Sequence, residues 1–202
     1  MFAARFVSNR ATDSSSSEKV SSVAVEYLRI PAGGDIAIRR PEPQDRREFV
    51  ALMRDSVDFH YPWVSAPITP ELFDQYLASR RLPTEDGFLI IERRSHDIAG
   101  VINLNVITRG PFQSAYLGYY AGAKFAGRGY MRQGLHEVVD IAFSDLGLHR
   151  LEANIQPDNE PSLALAARSG FSREGFSEAY LKIYGRWRDH ERWAILNPRS
   201  AP

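Results

Sequence analysis

Three largely apolar segments constrain this chain more than anything else in it: "GFLIIERR" from Gly87, "IAGVINLNVIT" from Ile98 and "SAYLGYYAG" from Ser114. They are rich in the β-branched and aromatic residues that suit a pleated surface. Only short polar or Gly/Pro turns separate them, which predicts an antiparallel meander. Upstream, "DIAIRR" (Asp35 to Arg40) alternates like a further strand and is broken by Pro41 and Pro43. "QDRREFVALMRDSVDF" places Phe49, Leu52, Met53 and Val57 on one helical face. Tyr61 to Thr69, "YPWVSAPIT", reads as a loop with exposed aromatics. Thr69 then caps a helix that has Pro70 at its first position and Leu72, Phe73, Tyr76 and Leu77 on its buried side.

Downstream, a helix is predicted from about Tyr130 to Leu146, with Leu135, Val138, Val139, Ala142 and Phe143 inward. "HRLEANIQ" (His149 to Gln156) is a strand, "DNEPSLALAARSG" a capped helix ended by Gly170, and the last segment two strands around a turn at Gly185. The order β-α-α-β-β-β-α-β-α-β-β predicts one α/β (α+β) domain with a single central sheet.

The 202 residues suffice for one such domain, expected over residues 23–202. Residues 1–22, with a Ser run and Arg5 and Arg10, are expected to be a disordered tail, because such sequence buries too little apolar surface to offset its ordering entropy. An organelle transit peptide is the alternative on composition. Basic and acidic residues balance at 25 each, which argues against broad nucleic-acid binding; no sequence-specific nucleic-acid contact is expected. There is no Cys, hence no thiol nucleophile and no thiolate metal site. No apolar run approaches the length of a membrane span. "HEVVD" (His136 to Asp140) lacks the second His of the zinc motif H-E-x-x-H, and no metal is expected.

Between the third strand and the next helix lies "AGAKFAGRGYMRQGL". Gly127 and Gly129 permit positive φ and close approach, and free N–H groups ahead of a helix form an anion nest. Arg128 and Arg132 would add charge. A plain turn before a helix also explains the glycines. The loop is not a Walker loop, since no Gly-Lys-Ser/Thr follows, and Arg132 stands where a dinucleotide fingerprint needs its third glycine.

Three stretches taken together, "YLGYYAGAKFAGRGYMRQGL", "HRLEANIQPDNEPSLALAARSGF" and "REGFSEAYLKIYGRWRDH", resemble the GNAT superfamily of acyl-CoA N-acetyltransferases. Within it the chain is similar to the RimJ/RimL-type ribosomal-protein-alanine N-acetyltransferases, and to the RimJ kind most of all, over about residues 35–196. The resemblance implies a mostly antiparallel sheet with helices on both faces and a splayed strand forming the acyl-CoA cleft. It implies acetyl transfer from acetyl-CoA to an amine, typically a protein's N-terminal α-amino group, in the cytoplasm, by a monomer or weak homodimer.

It also implies roles for residues. Backbone groups of Ala126, Gly127, Arg128, Gly129, Tyr130 and Met131 would hold the CoA pyrophosphate. Ala126 replaces the superfamily's usual polar residue and Met131 its usual small one. Leu117, Gly118 and Tyr119 would pair with pantetheine, one N–H there polarising the thioester carbonyl. Asn159 would contact the pantetheine arm, and Ser162 would protonate the leaving thiolate. The tyrosine many relatives use for that task falls on Ala166. Each also has a plain structural explanation: a strand kinked at glycine, an N-cap, a first-turn serine. Asn159 and Ser162 can serve both.

The general base is less defined. The carboxylates that relatives use fall on Leu181 and near Asn154. Glu152, on the same strand face as Asn154, is the candidate base, acting through water or held in an ion pair with Arg150. Tyr180, Glu178, Asp189 and His60 are further candidates. Tyr61, Trp63, Tyr180, Trp187 and Asp189 are expected to flank the acceptor, unless the tryptophans only pack at the edge of the core. Two rivals remain open: an acetyltransferase for a small amine, and a weakly catalytic CoA-binding or ribosome-assembly factor.

Overall fold

The computed structural model describes residues 29–200. The expected tail at 1–22 lies outside them, as does the start of the domain at Val23. Seven strands form one sheet in the order β1-β2-β3-β4-β5-β7-β6. They are β1 (Ile36–Arg39), β2 (Asp86–Glu92), β3 (Ile98–Thr108), β4 (Ser114–Ala121), β5 (Arg150–Ile155), β6 (Ser172–Ile183) and β7 (Arg186–Leu196). The predicted meander is β2-β3-β4. Every pairing is antiparallel except that of β4 with β5.

The helices are α1 (Arg46–Asp55), α2 (Val57–His60), α3 (Pro70–Ser79), α4 (Tyr130–Asp140) and α5 (Glu160–Arg168). Residue parity along β3 assigns them to faces. Met131 of α4 sits over Gly100, whereas Tyr76 of α3 donates to the Asn103 side chain at 2.9 Å. Positions three apart on a strand point to opposite faces, so α3 and α4 flank the sheet. A Cβ on Gly134 would lie 2.5 Å from Ile90 Cδ1, which shows how closely α4 packs on β2. Phe49, Phe73 and Phe88 are fully buried. Each such side chain contributes roughly 1.5–3 kcal/mol.

Two predicted core positions are exposed. Val57 is 39% exposed because the first helix stops at Ser56, whose hydroxyl bonds back to the Leu52 carbonyl at 2.7 Å; the chain restarts as the single turn α2. Leu72 is 42% exposed, outside the stripe of Phe73, Tyr76 and Leu77. Thr69 does cap α3, accepting from Leu72 N at 3.3 Å. The helix predicted to reach Leu146 ends as α4 at Asp140 and continues in a wider π turn over Ile141–Asp145. Among the described residues, no helix is long and apolar enough to cross a membrane.

Candidate active site

The one parallel pairing is short. It joins Ser114 to Arg150, Ala115 to Leu151, Tyr116 to Glu152 and Leu117 to Ala153, and there it ends. Both strands run on, β4 held by β3 as far as Ala121 and β5 held by β7 as far as Ile155. Beyond Leu117 and Ala153 they part. A break in register between Asn105 and Thr108 of β3, where Val106 has φ of 51°, lies beside the root of this fork. Such bulges sharpen local twist and re-aim a strand. The opening continues into a cleft of about 1230 Å³.

One end of the cleft is the start of α4. Gly127 and Gly129 have φ of 74° and 78°, and a Cβ built on either would meet nothing within 4 Å. The first intrahelical bond there is Gln133 N to Gly129 O, at 3.1 Å. The N–H groups of Tyr130, Met131 and Arg132 therefore precede any internal acceptor, at the positive end of the helix dipole. These residues, with Ala126 and Arg128, line the cleft. The Arg128 guanidinium lies 5.5 Å from the Phe125 ring centre. The bulky Met131 is accommodated because its sulfur rests where a β-carbon of Gly100 would lie, 2.4 Å away. An unobstructed concavity with successive free donors fits a pyrophosphate.

The α5 side adds Asn159 and Ser162. Asn159 Oδ1 accepts from Ser162 N at 3.2 Å, a true N-cap, and both residues line the cleft. Tyr119 donates its phenol to the Ser162 carbonyl at 3.3 Å, tying the free part of β4 to this turn. Burial pushes the Tyr119 phenol well above its ordinary pKa, so it stays protonated.

The opposite wall belongs to the α1–α3 face. His60 bonds through Nε2 to the Ala121 carbonyl at 2.8 Å, and Gln156 donates to the Trp63 carbonyl at 3.3 Å. Asn154 turns a buried amide oxygen that has no partner among the described residues. Tyr180 and His190 complete the wall, their rings 5.9 Å apart. Burial lowers the pKa of both His60 and His190. Among the described residues, no Asp or Glu lines the cleft.

The structure thus brings together Leu117, Gly118, Tyr119, the 126–131 loop, Asn159, Ser162, Trp63 and Tyr180. It places five candidates outside the lining, Glu178 among them. Glu152 is paired with Arg150 at 2.7 Å, and Arg150 also holds Glu174. Asp189 accepts from Ala179 N at 2.8 Å, fixing an irregular turn of β6 where Ala179 has φ of 45°. Tyr61 and Trp187 are 60% and 63% exposed beyond the rim, with the Tyr61 ring 5.4 Å from that of Tyr184. Sequence reasoning did not single out His190, Gln156 or Arg168, which also line the cleft. Strand parity puts His190 on the face of Arg192 and Ala194, but only the insertion of β7 beside β5 turns that face into a cleft wall. Among the described residues, no group of three or more His, Asp or Glu is placed to hold a metal ion.

Residues 35–172 match the acetyltransferase (GNAT) domain family. The chain is 33% identical over 174 residues to a Bacillus subtilis (strain 168) protein named "Probable N-acetyltransferase YjcK", covering 82% of this chain and 96% of that one. It is 37% identical over 115 residues to the ribosomal protein uS5-alanine N-acetyltransferase of Escherichia coli (strain K12), covering 57% of this chain and 59% of that protein. A spermidine N(1)-acetyltransferase of Vibrio cholerae is 26% identical over 144 residues, covering 70% and 79%. The solved ribosomal-protein-S5-alanine acetyltransferase from Vibrio fischeri superposes with a TM-score of 0.76 at 27% identity, over 84% of this chain and 97% of that one.

Proposed function

This chain belongs to the acetyltransferase (GNAT) family, and from that premise we propose that it transfers the acetyl group of acetyl-CoA to the N-terminal α-amino group of a protein, a ribosomal protein being the leading candidate, in the cytoplasm. The observation that carries the reading is the acceptor wall. It is aromatic and amide-bearing, and none of its described residues is a carboxylate. A polyamine brings several positive charges at neutral pH, and a site built for it needs anionic partners, because cations left unpaired on desolvation are costly. A protein N-terminus brings one charge and sheds it easily. Its pKa is about 7.7–8.0, against about 10.4 for lysine.

Each residue then has a task. The loop from Ala126 to Met131 binds pyrophosphate through backbone N–H groups. Leu117, Gly118 and Tyr119, freed from β5, offer backbone groups to pantetheine, and an N–H near Gly118 polarises the acyl carbonyl. Acetyl-CoA supplies the activated thioester. Asn159, whose oxygen is used in capping, retains its amide N–H groups for the pantetheine arm. Ser162 donates to the leaving sulfur. The orphan oxygen of Asn154 accepts from the incoming amine, and Trp63 and Tyr180 wall the first residue. Tyr61 and Trp187, beyond the rim, meet the following residues of the acceptor. Holding both reactants in one cleft for direct attack supplies much of the acceleration, up to about 7–11 kcal/mol in favourable cases.

The test is thiol release from acetyl-CoA with peptides beginning Ala, Ser, Met and acetyl-Ala, and with spermidine and free lysine. Turnover on free Ala or Ser termini, absent on the blocked one and weaker on spermidine, is expected. Spermidine turned over faster than every peptide would refute the proposal.

A further inference from the structure

We propose that His190 is the general base, accepting at Nε2 the proton that the acceptor ammonium gives up before attack; the inference rests on the α-amino reading above. His190 is 2% exposed to solvent yet lines the cleft. Its Nδ1 lies 2.9 Å from the Arg188 carbonyl oxygen. A carbonyl only accepts, so Nδ1 carries the ring proton and Nε2 is left bare, with a lone pair to offer.

Its place in the sheet suits the role. Asn154, the first β5 residue past the root of the fork, pairs with Arg192. His190 stands two residues before Arg192 on the same face of β7, about 7 Å beyond it in the direction in which β5 runs. It packs beside Tyr180, whose phenol in turn meets that of Tyr116, the residue before Leu117 at the fork's root. His60, the other imidazole in the lining, is tied to Ala121, which lies four residues past that root. That is about 13 Å along the strand, toward the pyrophosphate end. Carboxylates are absent from the described lining, and Glu152 is committed to Arg150.

The surroundings keep His190 neutral near pH 7. Burial lowers its pKa, and the opposing influences, the Arg188 carbonyl and the charge of Asp189, are smaller. From other elements it meets Tyr180 of β6 and, beyond it, Tyr116 of β4 and the paired Arg150 and Glu152 of β5.

The step balances. Nε2 takes one proton from the ammonium, and the freed nitrogen lone pair forms the C–N bond. The C–S bond breaks, sulfur leaves with the electron pair, and the second proton of the amine ends on the thiol. The proton on His190 passes to solvent.

The test is His190→Asn, which keeps an N–H for the Arg188 carbonyl and removes Nε2. Rates with an Ala-starting peptide are followed from pH 5.5 to 9.5, and CoA affinity is measured by calorimetry. For wild type the rising limb of kcat/KM is expected at or below about 6.5, the ordinary imidazole value. In the variant it should move to the amine's own pKa, near 8. At pH 7 about one-sixth to one-eleventh of such an amine is already neutral, so the deficit should be about six- to elevenfold there, larger below and gone above about pH 9. CoA affinity should stay within about twofold. A deficit equal at every pH, or an unmoved limb, overturns the proposal.

A readout independent of turnover is the ¹⁵N spectrum of the ring, assigned by its loss in the variant. Nδ1–H with bare Nε2 at pH 7 is expected; a protonated Nε2 overturns the proposal. If the variant does not fold, the wild-type limb decides, and one near 8 is fatal. A wild type inert toward all peptides refutes the α-amino reading instead, and the ring spectrum still judges the base.

Discussion

Gly129 offers the sharpest test of the anion site. It stands at the N-cap of α4 with φ of 78°, and the position a side chain would take is empty to 4 Å. Replacing it by Asn and, separately, by Asp divides the effect into parts. Both residues tolerate the left-handed conformation better than other non-glycine residues, and each stores a comparable strain of roughly 1 kcal/mol. Both fill the same volume. They differ by one negative charge, set where the pyrophosphate is proposed to sit. At about 5 Å and an effective dielectric of about 20, a pair of unit charges interacts by about 3 kcal/mol. Water at the cleft mouth reduces this to about 1–2 kcal/mol, or a Kd about five- to thirtyfold weaker for Asp than for Asn. Calorimetry of CoA binding at low salt reads the difference, and it should shrink at about 0.5 M salt while thermal melts of the two variants coincide. Equal Kd values for the two variants would remove the anion from this helix start.

Other perturbations address the remaining parts. Ser162→Ala should lower kcat about tenfold or more with little change in the KM for acetyl-CoA; a change confined to KM would make the residue a binding contact. Gly100→Ala would set a methyl 2.4 Å from Met131 Sδ and 3.1 Å from the Tyr120 carbonyl oxygen. It should cost about 1–3 kcal/mol in urea unfolding, part of it recovered by adding Met131→Ala. An unchanged midpoint would contradict the packing described for Met131. His60 and His190 both have lowered folded-state pKa values. The unfolded chain therefore takes up protons first, so stability is full above about pH 6.5 and falls as pH drops below it. The urea midpoint should decline from pH 7.5 to 5.5, less steeply in His190→Asn, and a flat profile would count against burial of the imidazoles.

Local chemistry was legible in the sequence wherever it decided structure. The meander, the Thr69–Pro70 start of α3 and the glycine turn into α4 each depend on a few adjacent residues whose conformational limits are strong. An anion-binding role for the loop could be read only as one alternative, because glycines before a helix fit a turn or an anion equally well. What stayed hidden was lateral. Parity placed Glu152 on the face of the acceptor wall, where its ion pair with Arg150 two residues earlier was already an alternative; what the folded sheet adds is Glu174, which binds the same Arg150 and helps fix that guanidinium beside Glu152. Asp189 followed the same logic, its carboxylate engaged by the Ala179 N–H of the neighbouring strand. His190 shows the reverse case. Nothing local marks it, and it becomes a cleft residue because β7 inserts between β5 and β6.

The fork has a further consequence for how the sheet ends. A sheet ordinarily has two margins, both outward, where unpaired backbone groups can recruit another chain. Here the parting of β4 from β5 creates two more, facing each other inside the molecule. They line the cleft between the two strands and not the outer rim of the sheet, so the hazard of outward margins does not extend to them. A slender chain bearing amide groups can still lie along one, as is proposed for pantetheine, and act as the strand the sheet lacks. Amide hydrogen exchange should then be fast in the free protein at those amides between Gly118 and Ala121 that point away from β3, and slow there once CoA is bound, while β2 and β3 stay protected throughout. Binding would complete a secondary structure that the polypeptide leaves open.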